Sequence, residues 1–219
     1  MFISIYLIKP KFTKKMKKLF SILVVLAFVS LSAFTIINAP IDTVYKVDTN
    51  KSDVKWVGKK VLYQHNGKIK IASGDLTVKG KVVTGGIITM DMTSISDEDL
   101  TEKDKNDKLI GHLKSQDFFN VEKYPTAKFE IGKMTPNTKA VGKNNYTVTG
   151  KLTIKGITKD IAFPATVVID GNKLTANADF KLDRTLWDIK YNSGKFYDSL
   201  GDKMIKDDFD ITFEIAATK

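Results

Sequence analysis

Cysteine is absent from the 219 residues of this chain, which contain only two histidines and a single arginine. The absence of cysteine excludes a disulfide framework, a thiol nucleophile and a lipid-modified cysteine. The sequence also contains no glycine-rich phosphate loop, nucleophile elbow or paired zinc-ligand motif. We therefore expect a protein that is not an enzyme, with no catalytic residues and no cofactor.

The two histidines occur in different contexts. His65 lies beside a predicted hairpin turn, and His112 lies in a predicted helical segment. A metal site built from one histidine and a neighbouring aspartate stays open, but a rim histidine bonded to backbone or water is the commoner arrangement. We favour the rim interpretation for both histidines and predict no metal site.

The net charge of +10 is concentrated at the N-terminus. Residues 1–39 carry six lysines and no acidic residue, whereas the rest of the chain has 29 basic and 25 acidic residues. There the lysines are interleaved with apolar residues and aspartates, which is typical of the outer face of a sheet rather than of a basic stripe. Binding to nucleic acid is therefore not expected.

The N-terminal residues have the order of a secretory signal. Met16-Lys17-Lys18 is followed by an uncharged apolar run from Leu19 to Ile37, and Ala33 offers a small residue for cleavage. Residues 1–39 are thus predicted to be a signal peptide or an uncleaved membrane anchor, with Met16 as the hypothetical true start. We expect a periplasmic or secreted protein whose residues 40–219 form a single domain.

From residue 45 onward, apolar residues recur at every second position, which is the period of strands with one buried face. The clearest runs are 174–182 and 209–217. Asn66-Gly67 and Asp170-Gly171 predict hairpin turns, and Pro164 predicts a strand edge or a bulge. About eight or more strands with short connections indicate an all-β fold, an antiparallel closed barrel with a β-sandwich as the alternative.

The segment from Ser96 to Ser115 interrupts this pattern with a helical period. Leu109, Ile110 and Leu113 form a one-sided stripe that can pack on the rim of a barrel, and Asp97 is expected near the N-terminus of this helix.

The next segment, His112 to Phe129, reads HLKSQDFFNVEKYPTAKF. Asp117 is predicted to cap a second short helix that ends before Pro125. Phe118 and Phe119 then either plug one end of the barrel or line the mouth of an apolar cavity. The segment alone favours the plug.

This segment resembles the signature of the YceI-like family of periplasmic polyisoprenoid-binding proteins, which are lipocalin-like barrels with a short helical insertion. Four further motifs fall in the order of that family over about Tyr45 to Ala217. They are Tyr45-Lys46-Val47-Asp48 with Ser52 and Trp56, the GHLKS run, Gly150 to Gly156 followed by Thr158-Lys159, and Asp183-Arg184. The resemblance implies an isoprenoid or similar long-chain lipid as the ligand and transient contact with a membrane surface. Whether the protein is a monomer or a homodimer stays open.

The ligand-binding residues are predicted from inward strand positions and from the insertion. The set consists of Trp56, Ile88, Met90, Phe118, Phe119, Phe129, Ile131, Leu152, Ile154, Phe180, Leu182, Arg184 and Phe213. A shift of one residue in strand register would turn any of the strand positions outward.

Arg184 is the only arginine beside 34 lysines, so its position needs the planar fork of a guanidinium. A structural pair with a carboxylate, either Asp183 or a cross-strand acid, is favoured over contact with a ligand headgroup.

Three functions are compatible with the sequence. The first is an exported barrel that holds a lipid along its axis. The second is a structural or stress-related barrel with a filled core, and the third is an enzyme acting on a hydrophobic substrate. The absence of an acid–base pair and of a nucleophile counts against the third.

Overall fold

The computed structural model describes residues 41–138 and 143–219, which belong to one compact unit, Pro40–Lys219. The predicted signal peptide or anchor and the hypothetical start at Met16 lie outside the described residues. Within the two described ranges, no helix combines the length and the apolar character needed to cross a bilayer.

Nine strands and one α-helix make up the described fold. The strands are β1 (Asp42–Val47), β2 (Asp53–Lys59), β3 (Gln64–Lys79), β4 (Val82–Asp97), β5 (Thr126–Pro136), β6 (Tyr146–Ile154), β7 (Ile157–Asp170), β8 (Lys173–Asp183) and β9 (Asp208–Thr218). The helix α1 (Lys103–Lys114) lies between β4 and β5, and short 3₁₀ turns at Arg184–Trp187 and Gly201–Lys203 lie between β8 and β9.

The strands form a closed antiparallel barrel. Following the pairings around the sheet gives β3-β2-β9-β8-β7-β6-β5-β4, and β4 pairs with β3 to complete the ring. The short strand β1 pairs with β3 and with the end of β9, so β1 and β2 share one of eight positions. The predicted barrel with a helical insertion is confirmed, and the sandwich is excluded.

Burial follows the two-residue period of the sequence. Trp56, Met90, Leu152 and Phe213 point into a single apolar core, as predicted from alternation. Lysines on the outer face pair with acids on neighbouring strands, as in Lys55–Glu214 at 2.7 Å. This interleaving confirms the interpretation of the body's lysines as an outer sheet face.

The two ends of the barrel differ. The end that we call the helix end carries the β2–β3 turn, the insertion between β4 and β5, and the loop 184–207 between β8 and β9. The opposite end, which we call the far end, carries the β3–β4, β5–β6 and β7–β8 turns.

Asn66-Gly67 was expected to form a hairpin turn, and this prediction is wrong. Both residues lie inside β3, where Asn66 pairs with Val57 and Gly67 with Trp56, while the turn lies at residues 60–63. Glycine is required at position 67 because a Cβ there would lie 1.8 Å from the Ser96 carbonyl oxygen. The glycine therefore marks a close approach of two strands rather than a turn.

Pro164 lies within β7 and pairs with Thr147 of β6. The described pairing of β7 with β8 extends only from Thr166 to Asp170, so the first half of β7 is not paired with β8. Proline has no N–H to donate to a ladder, which fits this position. The prediction of a strand edge is confirmed, and it marks a seam in the barrel wall.

Two predictions about the insertion are wrong. Asp97 is the last residue of β4 and not part of the helix, which begins at Lys103. Asp117 does not cap a second helix; its backbone N–H donates to Ser115 Oγ, and its carboxylate lies 3.3 Å from His112 Nε2. The residues after Ser115 form turns instead, because the Ser115 carbonyl accepts from the N–H groups of Phe118 and Asn120.

Candidate functional site

The barrel interior contains two apolar cavities rather than one axial cavity. The helix-end cavity has a volume of about 110 Å³ and is bounded by inward residues of the strands, by α1, by the turns after it and by the loop 184–207. The far-end cavity has a volume of about 60 Å³ and is bounded by strand residues alone. The lining of both is almost entirely apolar, which suits a hydrocarbon guest.

The residues predicted to bind ligand divide between the two cavities. Nine line the helix-end cavity, namely Trp56, Met90, Phe118, Phe119, Leu152, Ile154, Leu182, Arg184 and Phe213. The far-end cavity is lined by Ile88, Phe129 and Ile131, and also by Phe213, which touches both. Phe180 lines neither cavity. Their role in binding stays a prediction.

Four phenylalanines from four strands lie between the cavities. Phe163 stacks on Phe180 with ring centroids 4.2 Å apart and planes within 8°, and Phe180 lies 5.7 Å from Phe213. Phe129 contacts Phe163 at 5.4 Å. We call these four residues the phenylalanine cluster. On each of β4, β5 and β8, the inward residues on one side of this cluster line the helix-end cavity and those on the other side line the far-end cavity. The cluster therefore divides the interior.

The phenylalanine cluster also lies at the seam between β7 and β8. Phe163 belongs to the part of β7 that is not paired with β8, and Phe180 belongs to the facing part of β8. Ring stacking thus takes the place of backbone hydrogen bonds at this level of the wall. Opening the cluster breaks no backbone pairing.

The insertion covers the helix-end cavity with both of its phenylalanines. Phe118 is buried and lines the cavity; its ring packs edge-on against His112 at 4.9 Å and at a tilt against Tyr191 at 5.6 Å. Phe119 is half-buried and lines the same cavity. The geometry is therefore compatible with both interpretations of this pair: the two rings close one end of the barrel, and they also line the cavity beneath.

The loop 184–207 is packed onto the barrel rather than free in solvent. Trp187 is completely buried, and its indole N–H donates to the Leu152 carbonyl at 3.2 Å. Ile189 is buried and lines the helix-end cavity, whereas Phe196 and Tyr197 are about half exposed. Of the aromatic residues in this loop, Trp187 therefore packs on the barrel wall, and Tyr191 packs against His112 and Phe118 of the insertion.

Arg184 holds this loop in place. Its Nη1 donates to the Ile189 carbonyl at 2.8 Å, and its Nε and Nη2 donate to the carbonyls of Lys206 and Ile205 at 3.2 and 3.1 Å. Asp207 is a longer contact, at 3.5 Å. Of the two kinds of acid that were expected to pair with Arg184, Asp183 is not the partner, because its carboxylate accepts from Thr185 and Lys195; the contact is with Asp207, which precedes β9.

The environment of Arg184 is electrostatically unusual. Only 5% of its side chain is exposed, and this burial lowers the pKa of the guanidinium, while the carboxylates of Asp207 and Asp183 act in the opposite direction. One residue of the cavity lining is thus a buried cation, Arg184, whose N–H groups donate to backbone carbonyls. The structural interpretation of this arginine agrees with its contacts.

A second polar group lies at the same cavity. The indole N–H of Trp56 is buried and has no hydrogen-bond partner among the described residues, although Trp56 lines the helix-end cavity. Buried donors are nearly always paired, so this N–H is available to a guest. Lys206, which is exposed, also lines this cavity, and its carbonyl accepts from Arg184 Nε.

Sequence reasoning missed several lining residues. Ile189 and Ile205 come from the loop 184–207, where no period indicates an inward face. Phe163 lies on an inward strand position, and alternation alone was sufficient to include it. The loop residues required the tertiary structure.

Comparison with solved structures agrees with the barrel. The crystal structure of BcnA from Burkholderia cenocepacia superposes with a TM-score of 0.61 at 27% identity and covers 78% of this chain and 99% of its own. A polyisoprenoid binding domain from Saccharophagus degradans superposes with a TM-score of 0.56, covering 80% and 97%, but at 12% identity it shows the fold alone.

Comparison with curated sequences gives partial matches. A UPF0312 protein of Photorhabdus laumondii is 38% identical over 84 residues, which is 38% of each protein. A UPF0312 protein of Pseudomonas putida is 32% identical over 126 residues, which is 56% of this chain and 60% of that protein. The chain thus spans less than two thirds of the length of these relatives. The model of the YceI-like domain matches residues 45–217, so the chain belongs to the YceI-like family.

Proposed function

We propose that the protein is an exported binding protein that holds an isoprenoid or a similar long-chain lipid in its barrel and exchanges it with a membrane. The observation that carries this proposal is the helix-end cavity, whose described lining is apolar except for Arg184, Lys206 and the N–H of Trp56. The name of the Saccharophagus domain makes a polyisoprenoid the first ligand class to test.

Binding requires the interior to expand. Cavities of about 60 and 110 Å³ are small beside the roughly 300–1,000 Å³ of ordinary ligand sites. The phenylalanine cluster is the element that separates them, and it lies at the unpaired seam between β7 and β8. Rotation of Phe163 and Phe180 joins the cavities into one channel along the barrel axis without breaking strand pairing.

The energetics favour exchange over permanent storage. Burying some 20 apolar carbons at about 0.8 kcal/mol each releases on the order of 16 kcal/mol relative to water, near the limit of non-covalent affinity. A lipid leaving a bilayer gains little of this, because it is already in an apolar medium. Net capture therefore depends on shape and on the polar end of the guest, and it is reversible.

The polar end of the guest belongs at the helix end. There the N–H of Trp56 offers a hydrogen bond and Lys206 offers a positive charge, whereas the donors of Arg184 already bind backbone carbonyls. A headgroup oxygen on Trp56 and an anionic group near Lys206 give the guest a fixed orientation.

The helix end also carries the surface for membrane contact. In the β2–β3 turn, Val61, Leu62 and Tyr63 are 47%, 72% and 49% exposed, and Lys59 and Lys60 precede them. Exposed apolar residues beside lysines suit the interface of an anionic bilayer. The secretory pattern of residues 1–39 supports the further proposal that this exchange takes place at the outer side of a membrane, in the periplasm or outside the cell.

The decisive experiment is native mass spectrometry combined with solvent extraction of protein purified from cells. The expected result is one long-chain lipid per barrel, and the same spectra distinguish a monomer from a homodimer. Ala127 and Ala165 are both 3% exposed and line the helix-end and far-end cavities, respectively, so they form a matched pair. Ala127→Leu is expected to abolish the guest, and Ala165→Leu to shorten the chain that is retained.

A second candidate is a structural or stress-related barrel with a filled core, which the small cavity volumes favour. It predicts no extractable lipid from the unaltered protein and no difference between Ala127→Leu and Ala165→Leu. That outcome would overturn the carrier proposal.

A further inference from the structure

A cluster of three side chains at the helix end stands apart from the cavities. His65 is the second residue of β3, Asp97 is the last residue of β4, and Asp99 follows in the connection to α1. One ligand atom from each lies within 4.8 Å of the other two. His65 Nδ1 is 2.9 Å from Asp99 Oδ2 and 3.9 Å from Asp97 Oδ2.

Both carboxylates are fixed through their other oxygen. Asp97 Oδ1 accepts from the Leu100 N–H at 2.8 Å and from Asn106 Nδ2 at 3.2 Å. Asp99 Oδ1 accepts from the Asn66 N–H at 2.8 Å. The two Oδ2 atoms are left facing the imidazole, an arrangement in which outer hydrogen bonds orient ligands toward a shared centre.

The carboxylate of Asp97 has one oxygen whose hydrogen-bonding capacity is not satisfied by the described residues. Its side chain is 0% exposed, and Oδ2 has no hydrogen-bond partner among the described residues. A buried carboxylate oxygen without a partner is costly. Within residues 41–138 and 143–219, His65 is the one basic side chain in contact with either carboxylate. Two acidic groups thus converge on a single imidazole that carries at most one positive charge.

We propose that His65, Asp97 and Asp99 bind a divalent transition-metal ion, with Zn²⁺ as the preferred ion. One imidazole nitrogen and two carboxylate oxygens form a donor set that Zn²⁺ accepts at about 2.0–2.2 Å, with water in a fourth position. Tetrahedral bonds of that length separate the ligand atoms by roughly 3.3 Å. The distances of 2.9 and 3.9 Å from His65 Nδ1 lie on either side of that value, so small side-chain rotations form the site.

The position of the site gives it a consequence for the fold. It joins β3, the end of β4 and the first residues of the connection to α1, whose segment covers the helix-end cavity. His65 and Asp99 keep 21% and 33% of their side chains exposed, so an ion reaches the site from solvent. Bound metal would anchor the start of the insertion to the barrel.

The test is isothermal titration of chelator-treated, untagged protein with ZnCl₂, followed by elemental analysis of the dialysed complex. We expect one Zn²⁺ per chain, a raised melting temperature, and the visible absorption of tetrahedral Co²⁺ when cobalt is substituted. Mg²⁺ and Ca²⁺, which need more oxygen ligands, are expected not to compete at equal concentration.

Variants identify the residues. Asp97→Asn and Asp99→Asn are each expected to weaken Zn²⁺ binding at least tenfold. Asn106→Ala, which removes a bond that orients Asp97, is expected to weaken it by about 10–100-fold. His112 and Asp117, which are 3.3 Å apart at an exposed position, provide the matched control, so Asp117→Asn is expected to leave the affinity unchanged.

Asp99 is partly exposed, so its variant remains informative if Asp97→Asn does not fold. Equal affinity in the unaltered protein and in Asp99→Asn would overturn the proposal. So would an equal loss in Asp117→Asn, because the ion would then lie elsewhere, or the absence of any Zn²⁺ binding by the unaltered protein.

Discussion

Replacing Arg184 with lysine removes the planar fork while keeping the positive charge. The guanidinium reaches three backbone carbonyls, those of Ile189, Ile205 and Lys206, at 2.8–3.2 Å. A single ammonium group cannot donate to all three, because it lies at one point at the end of a flexible stem. At least one buried carbonyl loses its partner, at a cost of about 1–3 kcal/mol, and the charge-assisted bonds that remain are weaker.

We therefore expect Arg184→Lys to lower the free energy of unfolding by about 2–4 kcal/mol. For a domain of this size, that corresponds to a fall in melting temperature of about 4–16 °C. Urea denaturation and calorimetry of delipidated protein measure both quantities. Asp207→Asn is the comparison, and its effect should be smaller, because the contact with Arg184 is 3.5 Å long. Equal unfolding midpoints for Arg184→Lys and the unaltered protein would refute this reasoning.

Phe118→Ala is expected to reduce bound lipid at least tenfold, with a loss of about 3 kcal/mol in stability; unchanged lipid content with the same loss would show that Phe118 is only a plug. Phe180→Ala joins the two cavities, so we expect longer guests in native mass spectra and a stability loss of about 2–4 kcal/mol, below the full cost because the ring is half-buried. Guests of unaltered length would contradict the proposal that Phe180 and Phe163 separate the two cavities. Hydrogen bonds from Lys59 and then Lys181 lower the pKa of Asp210, so this carboxylate stabilises the fold above its ordinary pKa of 3.8, and the stabilisation disappears as the pH falls through the lower folded value. The stability difference between Asp210→Asn and the unaltered protein should therefore be present at pH 7 and vanish in acid, and a difference that persists at low pH would contradict this assignment.

Alternation in the sequence determined which side chains point inward. Because successive residues of a strand face opposite sides of a sheet, Leu174, Leu182 and Phe213 could be assigned to the interior without coordinates. The number of strands and their short connections favoured the closed barrel over a β-sandwich, and the ordered motifs from Tyr45 to Ala217 were sufficient for the family. The prediction of a turn at Asn66-Gly67 failed, because the same dipeptide occurs both in hairpin turns and where two strands approach closely.

Only the tertiary structure decided what lies at the same level of the barrel. Alternation gives the side of the sheet but not the height along the axis, which depends on strand register and on bulges such as those between Lys68 and Lys70 and between Ile131 and Lys133. For this reason the sequence left a hollow and a filled interior equally open, and it did not show that four phenylalanines from four strands meet and divide the interior. For the same reason the separation of 32 positions between His65 and Asp97 concealed their contact, because the antiparallel pairing of β3 with β4 brings the start of one strand to the end of the other.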